Sequence, residues 1–283
     1  AASSRSAATG RRDVIGPRVG VKVGQRSGIA AGVMNDEIAA GGATWTVDAT
    51  SGKAMPATNA EWVAFIAANG LAISPPTSIY TCQDAAGALA DANTTFPLAV
   101  SGTGQSYQQA VAGWAAKAVT LTDGTTGGWR STDAGLPNPA AASCAMLAYV
   151  VQPAAAPAAT RNLAILTGVA SAVSVRINVV TGFSSLLDVG NVATGATNVT
   201  GQVLPWMVVY NFTASSCVGY TLAEKLTPAF SAGVGRAFML GSTGAAAAAR
   251  YLYAVRWDGA AAEISAANAK LLQQALVWSP TWV

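Results

Sequence analysis

Short apolar runs separated by turn residues recur along most of the chain, and this pattern predicts a protein built mainly of β-strands. The spacing of the runs is typical of a β-sandwich or jelly roll. The runs are residues 79–82, 96–100, 118–122, 145–151, 162–166, 174–180, 185–189, 207–211, 217–222, 238–241 and 251–257. We therefore predict an all-β fold, a two-sheet antiparallel jelly-roll sandwich.

The C-terminal run, Arg250 to Trp257, alternates with period two and predicts a strand with unequal faces. The face that we expect to be buried carries Tyr251, Tyr253, Val255 and Trp257, and the other carries Arg250, Leu252, Ala254 and Arg256. Asp258-Gly259 then favours a turn. A short C-terminal helix is predicted to follow, capped by Ser265, with one apolar side formed by Ala269, Leu272, Ala275 and Leu276.

A second helix is predicted ahead of the sandwich. Thr58 to Glu61 reads T-x-x-E, the pattern of a capping box, and Trp62, Phe65 and Ile66 then fall on one side. Asn69-Gly70 ends this helix, and Pro75-Pro76 marks a boundary. The predicted domains are an extended basic arm (1–34), a lead-in segment with a short helix (35–76) and a jelly-roll domain (77–283).

Charge is concentrated at the N-terminal end, although only 10% of the 283 residues are charged. Residues 1–28 carry six basic side chains and one acidic one, a net +5, whereas residues 29–283 carry 10 basic and 12 acidic ones, a net −2. The basic residues of this predicted assembly arm are Arg5, Arg11, Arg12, Arg18, Lys22 and Arg26. Such a composition is disordered in isolation, and Val19–Gly24 alternates like an edge strand, so we expect the arm to dock on another subunit.

Four segments in order resemble the concanavalin A-like jelly rolls of the laminin-G type, found in phage virion and bacterial surface proteins. They are YTCQDAAGALAD (80–91), AVTLTDGTTGGW (118–129), residues 206–220 and residues 238–276. The resemblance implies a two-sheet sandwich whose concave face or rim loops commonly bind glycans or proteins, often with calcium at the rim. The acids on the matching segments are Asp84, Asp91 and Asp123. We favour turn capping over calcium binding for them, because they do not form a cluster with oxygen-ligand spacing.

The composition excludes several catalytic sites. The chain has no histidine, which excludes Ser-His-Asp and Cys-His arrangements and histidine-ligated zinc. It also lacks a phosphate-binding loop and the E-x-D-x-E strand usual in glycosidases with this sandwich. The three cysteines, Cys82, Cys144 and Cys217, lie far apart and are predicted to be buried free thiols. We predict no enzymatic activity, no metal and no cofactor.

Neither a membrane nor a nucleic acid is a predicted partner. The chain has no run of 18 or more apolar residues, and its first residues lack the apolar core of a secretory signal, so we expect synthesis in the cytoplasm. The basic arm has no aromatic residue before Trp45, whereas base stacking needs aromatic side chains among the basic ones.

Aromatic residues beside Gly-rich loops are the candidate glycan-binding features. Tyr107, Trp114, Trp129 and Trp206 flank the loops 101–113, 123–135 and 194–201, although most of the four are expected in the core. The proposed glycan-binding set is Trp129, Arg130 and Asn138.

Two hypotheses for function follow from the sequence. The first is a non-enzymatic structural protein of a large assembly, a phage virion decoration or appendage subunit anchored by its arm. Its partners would be capsid or tail lattice subunits and further copies of itself, and its location the virion, after synthesis in the host cytoplasm. The alternative is a carbohydrate-binding, lectin-like module of a bacterial surface or secreted protein, with cell-surface glycan as its partner.

Overall fold

The computed structural model describes residues 45–46, 54–94, 96–111, 117–131, 144–151, 153–167, 172–177, 182–188, 190–211, 214–221, 224–230, 237–242, 244–258, 264–265, 268–269 and 272. The predicted arm, residues 1–34, lies outside them. The lead-in begins with a pair of short strands, β1 (Trp45–Thr46) and β2 (Ala54–Met55), which are antiparallel to each other.

Helix α1 spans Asn59–Ala68 and starts with the predicted capping box. The Thr58 hydroxyl accepts a hydrogen bond from the Glu61 backbone N–H (3.3 Å), and the Glu61 carboxylate accepts one from the Thr58 N–H (3.2 Å). Trp62 and Phe65 are fully buried and Ile66 is half-buried, which confirms the predicted apolar side.

Fifteen further strands build the body of the protein. They are β3 (Ser78–Tyr80), β4 (Ala99–Gly102), β5 (Gln105–Ala110), β6 (Lys117–Leu121), β7 (Gly127–Arg130), β8 (Cys144–Val151), β9 (Arg161–Thr167), β10 (Ala172–Ile177), β11 (Phe183–Asp188), β12 (Asn191–Asn198), β13 (Val203–Asn211), β14 (Ser216–Tyr220), β15 (Lys225–Leu226), β16 (Ala237–Ser242) and β17 (Arg250–Asp258).

These strands form two antiparallel sheets, which confirms the predicted sandwich. A seven-stranded sheet has the order β12-β11-β10-β9-β16-β7-β4. An eight-stranded sheet has the order β15-β14-β13-β8-β17-β6-β5, with β3 added beside the second half of β17. The core between the sheets contains Trp129, Leu240 and Leu186 from the first sheet and Tyr251 and Trp206 from the second.

Four strands have no counterpart among the predicted apolar runs: β5, β7, β12 and β15. Strands β5 (QSYQQA) and β12 (NVATGATN) are mostly polar because they lie at sheet edges, where most of their side chains remain exposed. An edge strand needs no apolar alternation to be held in place, since backbone pairing on one side suffices.

Strand β17 is central to the eight-stranded sheet, but its faces differ from the predicted ones. It pairs with β8 along its length, and Leu252 is an extra residue in that pairing, a β-bulge between Tyr251 and Tyr253. Because a bulge reverses the alternation, Tyr251 points into the core between the sheets while Tyr253, Val255 and Trp257 point to the other side of the sheet.

The opposite face of β17 is buried as well, which the sequence pattern did not indicate. Arg256 is only 1% exposed, and its Nη2 lies 2.6 Å from Oδ1 of Asp258. Pairing with this carboxylate offsets part of the cost of burying the guanidinium.

The outer face of the eight-stranded sheet packs against a second core, which we call the helix-side core. It joins α1 to β17 through Trp62, Phe65, Tyr253 and Trp257, and it includes the buried Ile264, Ala269 and Leu272 near the C-terminal end. Ser265 caps the helical residues there as predicted: its hydroxyl accepts from the Asn268 N–H (3.3 Å). Ala275 and Leu276, assigned to the same helix, lie outside the described residues. Within the described part of the chain, no helix has the length and apolar character needed to cross a membrane.

Candidate functional site

Trp129, the first of the predicted glycan-binding residues, is a core side chain. It is 0% exposed, and its ring makes edge-on contacts with the rings of Tyr107 (5.7 Å between centroids) and Tyr251 (6.3 Å). Its indole N–H donates to the Tyr107 hydroxyl at 3.1 Å. No face of the ring is open to a sugar, so the structure corrects the stacking role that the sequence suggested for Trp129.

Of the rest of the predicted set, the structure describes only Arg130. Arg130 is half-buried and follows Trp129 in β7, so its side chain leaves the opposite face of the sheet. Asn138, Trp114 and the six basic residues of the arm lie outside the described residues. Trp206 is buried and Tyr107 is half-buried, with its hydroxyl donating to the Gly87 carbonyl (2.6 Å).

Two of the three acids on the resemblance segments cap turns, as predicted. Asp84 accepts from the Ala90 N–H (3.2 Å), and Asp91 accepts from the N–H groups of Ile79, Asn93 and Phe96 at 2.9 to 3.0 Å. Asp123 instead pairs with a side chain. Among the residues that the structure describes, no three His, Cys, Asp or Glu side chains are grouped so as to hold a metal ion.

The loops that meet around Asp123 form what we call the rim site: residues 102–104, 122–126 and 244–247 together with Arg161. These loops lie at one end of the sandwich and are cross-linked by backbone hydrogen bonds. The Thr103 N–H donates to Thr126 (3.3 Å), Thr122 to Gly104 (3.0 Å), Gly124 to Ala246 (2.9 Å) and Ala246 to Thr125 (2.9 Å). Loops bonded to one another in this way hold their shape before a ligand arrives.

Glycines permit the close approach of these loops. Gly102 has φ +70°, and a Cβ there would lie 1.9 Å from the Thr126 carbonyl oxygen. Gly124, in the D-G-T turn, has φ +75°, and a Cβ there would lie 3.4 Å from Nη2 of Arg161. A side chain at either position would push the loops apart or strain the backbone.

One ion pair sets the electrostatics of the rim site. Arg161 Nε lies 3.1 Å from Oδ1 of Asp123, and Arg161 Nη2 lies 3.3 Å from Oδ2, so the contact is bidentate. The Asp123 side chain is 40% exposed and that of Arg161 is 14% exposed. Asp123 is the one carboxylate residue classed as exposed in the described part of the chain, and its oxygens accept from Arg161 at the rim.

Threonine residues are the other polar residues of the rim loops. Thr103, Thr122 and Thr126 are exposed, and the Thr125 hydroxyl donates to the Thr122 carbonyl at 2.7 Å. The amide of Asn162 donates to the Ser242 hydroxyl at 2.8 Å beneath the rim. The site therefore offers a carboxylate acceptor and several hydroxyls on a fixed frame.

The three cysteines are buried and free, which confirms the prediction. Burial raises the pKa of the Cys144 thiol to about 11, and it also raises the pKa values of the Cys82 and Cys217 thiols. Since the thiolate is the reactive form, these groups are chemically inert in the folded protein.

Sequence reasoning missed Arg161 and the threonines as parts of one site. Arg161 follows the Pro/Ala segment 153–160 and is 38 residues from Asp123, so no local pattern joins them. The available signal was the D-G-T turn, which we had assigned to turn capping.

Comparisons with known proteins support the fold. No protein-family model and no curated protein sequence matches the chain. Among solved structures, the chain is similar to Trypanosoma rangeli sialidase, with 9% identity over 89% of this chain and 39% of that one and a TM-score of 0.51. The same sialidase in complex with sialic acid gives 8% identity, 88% and 38% coverage and a TM-score of 0.51.

Domain 4 of the extracellular arabinanase AbnA from Geobacillus stearothermophilus, in complex with arabinotriose, is 16% identical over 66% of this chain and 95% of that one, with a TM-score of 0.45. This chain spans about two fifths of the length of the sialidase structures. At such low identity, the similarity to the sialidase shows a shared β-sandwich fold.

Proposed function

We propose that the chain is a non-catalytic carbohydrate-binding module of a surface or secreted protein and that it binds glycan at the rim site. The observation that carries the proposal is the cross-linked rim, on which the residues Asp123, Thr103, Thr122 and Thr126 are exposed. Sugar hydroxyls both donate and accept hydrogen bonds, and a rigid frame of acceptors and hydroxyls suits them at a low entropic cost.

The resemblance to laminin-G-like domains adds support, because the matching segment AVTLTDGTTGGW contains the central turn of the rim site. In that family, rim loops commonly bind glycans or proteins. The T. rangeli sialidase, which shares the fold, is described in complex with sialic acid, a sugar.

A binding role rather than a catalytic one is favoured by the state of Asp123. Glycoside hydrolysis needs two carboxyl groups across the scissile bond, one of which gives up a proton. Both oxygens of Asp123 accept hydrogen bonds from Arg161, and the rim site as defined contains no second carboxyl group.

A glycan array, followed by titration of the best ligand, tests the proposal. We expect Thr126→Tyr, which places a ring over the rim, to weaken binding by about tenfold or more. Thr227→Tyr is the matched control, because Thr227 is exposed and follows β15 at the opposite edge of the eight-stranded sheet from β5. Absence of glycan binding, or equal binding by the two variants, would overturn the proposal.

As a second candidate we propose the structural subunit of a large assembly, such as a virion decoration protein anchored by its arm. The observation that favours it is that few charged side chains are exposed in the part of the chain for which the structure describes burial: Lys117, Asp123, Lys225 and Arg250. Surfaces with few charges associate more readily than highly charged ones.

Light scattering separates the two candidates. An assembly subunit forms large particles, and deleting residues 1–28 abolishes them while the sandwich stays folded. A chain that is monomeric with and without residues 1–28, in the presence and absence of glycan, would exclude self-assembly through the arm.

A further inference from the structure

We infer that the rim site selects uncharged glycans over anionic ones and that Asp123 sets this selectivity by neutralising Arg161. The inference rests on the proposed function and names the ligand class of the same site. It follows from how the ion pair is oriented and from what surrounds it.

The guanidinium of Arg161 is already occupied. Recognition of a carboxylate-bearing sugar by arginine uses two parallel N–H groups, and two of the N–H groups of Arg161 point to Asp123 in that arrangement. A sugar carboxylate would have to displace Asp123 from this edge of the guanidinium or reach the remaining N–H groups of a side chain that is only 14% exposed.

The exposed half of the ion pair is the negative one. Asp123 is 40% exposed and Arg161 is 14% exposed, so an incoming ligand meets the carboxylate before the guanidinium. A Cβ placed on Gly124 would lie 3.4 Å from Nη2 of Arg161, so the turn leaves little room for a ligand group on that side of the guanidinium. An anionic sugar is repelled by the exposed carboxylate, whereas the hydroxyl of a neutral sugar can donate to it.

No other charge at the rim offsets this bias. The remaining residues of the rim site are Gly102, Thr103, Gly104, Thr122, Gly124, Thr125, Thr126, Gly244, Ala245, Ala246 and Ala247, all of which are uncharged. Binding through hydroxyls and one neutralised ion pair should therefore depend little on salt concentration.

The test compares matched pairs of probes: N-acetyllactosamine with its sialylated form, and galactan with polygalacturonate. We expect the wild-type protein to bind the neutral member of each pair at least about tenfold more tightly. Asp123→Asn removes the negative charge but keeps the shape, frees Arg161, and should shift the neutral-to-anionic ratio by about tenfold toward the anionic probes.

A double variant, Asp123→Asn with Arg161→Gln, is the control for the source of that shift, and it should lose the gain for anionic probes. Thermal melting of each variant shows that the sandwich is folded. A wild-type preference for the anionic probes, or an unchanged ratio in Asp123→Asn, would overturn the inference and leave glycan binding intact. If the protein binds no probe of either class, the proposed glycan-binding function itself is contradicted.

Discussion

The helix-side core and the rim site lie on the same sandwich but are held in place by different interactions. In the helix-side core, large aromatic rings are fully buried: Trp62 contacts Phe65 and Trp257 edge-on, at 5.2 and 5.6 Å between centroids. The Trp62 indole N–H donates to the Tyr253 hydroxyl (2.9 Å), which donates in turn to the Pro56 carbonyl (2.6 Å). In the rim site, backbone hydrogen bonds between loops with small side chains stabilise the structure, and the polar groups remain in contact with water.

The difference shows where stability and binding reside. Burial of aromatic surface gives a large gain in free energy, so the helix-side core should dominate unfolding. The rim contributes little apolar burial, so its side chains can change with a small effect on stability and a large one on ligand binding. If this is correct, substitutions in the helix-side core should mainly change stability, and substitutions in the rim site should mainly change binding.

Replacing Trp62 with Ala should have the largest effect, a loss of about 3–5 kcal/mol in the free energy of unfolding. The substitution removes a fully buried ring and leaves the Tyr253 hydroxyl without its donor. Urea denaturation measures the change. Val63→Ala is the control, because Val63 is the next residue in α1 but is 51% exposed, and it should change stability by less than about 0.5 kcal/mol. Equal losses of unfolding free energy in Trp62→Ala and Val63→Ala would contradict the expectation that the buried aromatic rings dominate stability.

The second largest effect should come from alkaline pH, which should lower the free energy of unfolding through the buried tyrosine hydroxyls. Burial raises the pKa values of the Tyr253, Tyr251 and Tyr80 hydroxyls in the folded protein above the ordinary value of about 10. Their contribution to stability is therefore complete below about pH 10 and is lost as the pH rises toward the folded pKa, at about 1.4 kcal/mol per group and pH unit.

Denaturation midpoints between about pH 8 and about pH 11, followed together with tyrosinate absorbance, check this expectation. The thiols contribute in the same direction from a lower pH, because an unfolded thiol has a pKa of about 8.5, whereas burial raises the pKa of Cys144 to about 11. Midpoints that stay constant over that range would show that these phenols are not protected by the fold.

The sequence predicted the helix-side core better than the rim. The capping box of Thr58 and Glu61, the apolar side of α1 and the strand from Arg250 to Trp257 are local patterns, and local patterns can be read from one chain. The bulge at Leu252 was not visible, because it depends on how β17 meets β8. The alternation therefore identified the strand correctly and placed Tyr251 on the wrong face.

A single hydroxyl within the helix-side core should have an intermediate effect. Tyr253→Phe keeps the ring but removes the hydrogen bonds to Trp62 and Pro56, and we expect a loss of about 1–3 kcal/mol. Tyr107→Phe offers a comparison near the rim, because it also removes two hydrogen bonds, one from the Trp129 indole N–H and one to the Gly87 carbonyl. The first is only part-buried and the second is exposed, so water can replace them better and the loss should be smaller. Denaturation curves of both variants measure the two losses of stability. A larger loss in Tyr107→Phe than in Tyr253→Phe would contradict this expectation.

The rim site could not be predicted because its parts are distant in sequence. Asp123 lies in the loop between β6 and β7, whereas Arg161 begins β9, and the threonines of the rim loops have no distinctive spacing. The sequence favoured aromatic residues as candidate glycan-binding groups. Trp129 and Trp206, however, are buried in the core of the sandwich, where large aromatic side chains are commonly found.

The smallest effect on stability should come from the rim itself. Asp123→Ala removes both contacts to Arg161, but the pair is partly exposed, so water takes over much of the solvation of the guanidinium. We expect a change of less than about 1 kcal/mol in the free energy of unfolding, together with a loss of affinity for glycan of about tenfold, since the outward acceptor is gone. Thr227→Ala, at the distant edge, should change neither quantity. A large loss of stability in Asp123→Ala would mean that the ion pair is a structural clamp for the loops, and the rim would then belong with the helix-side core.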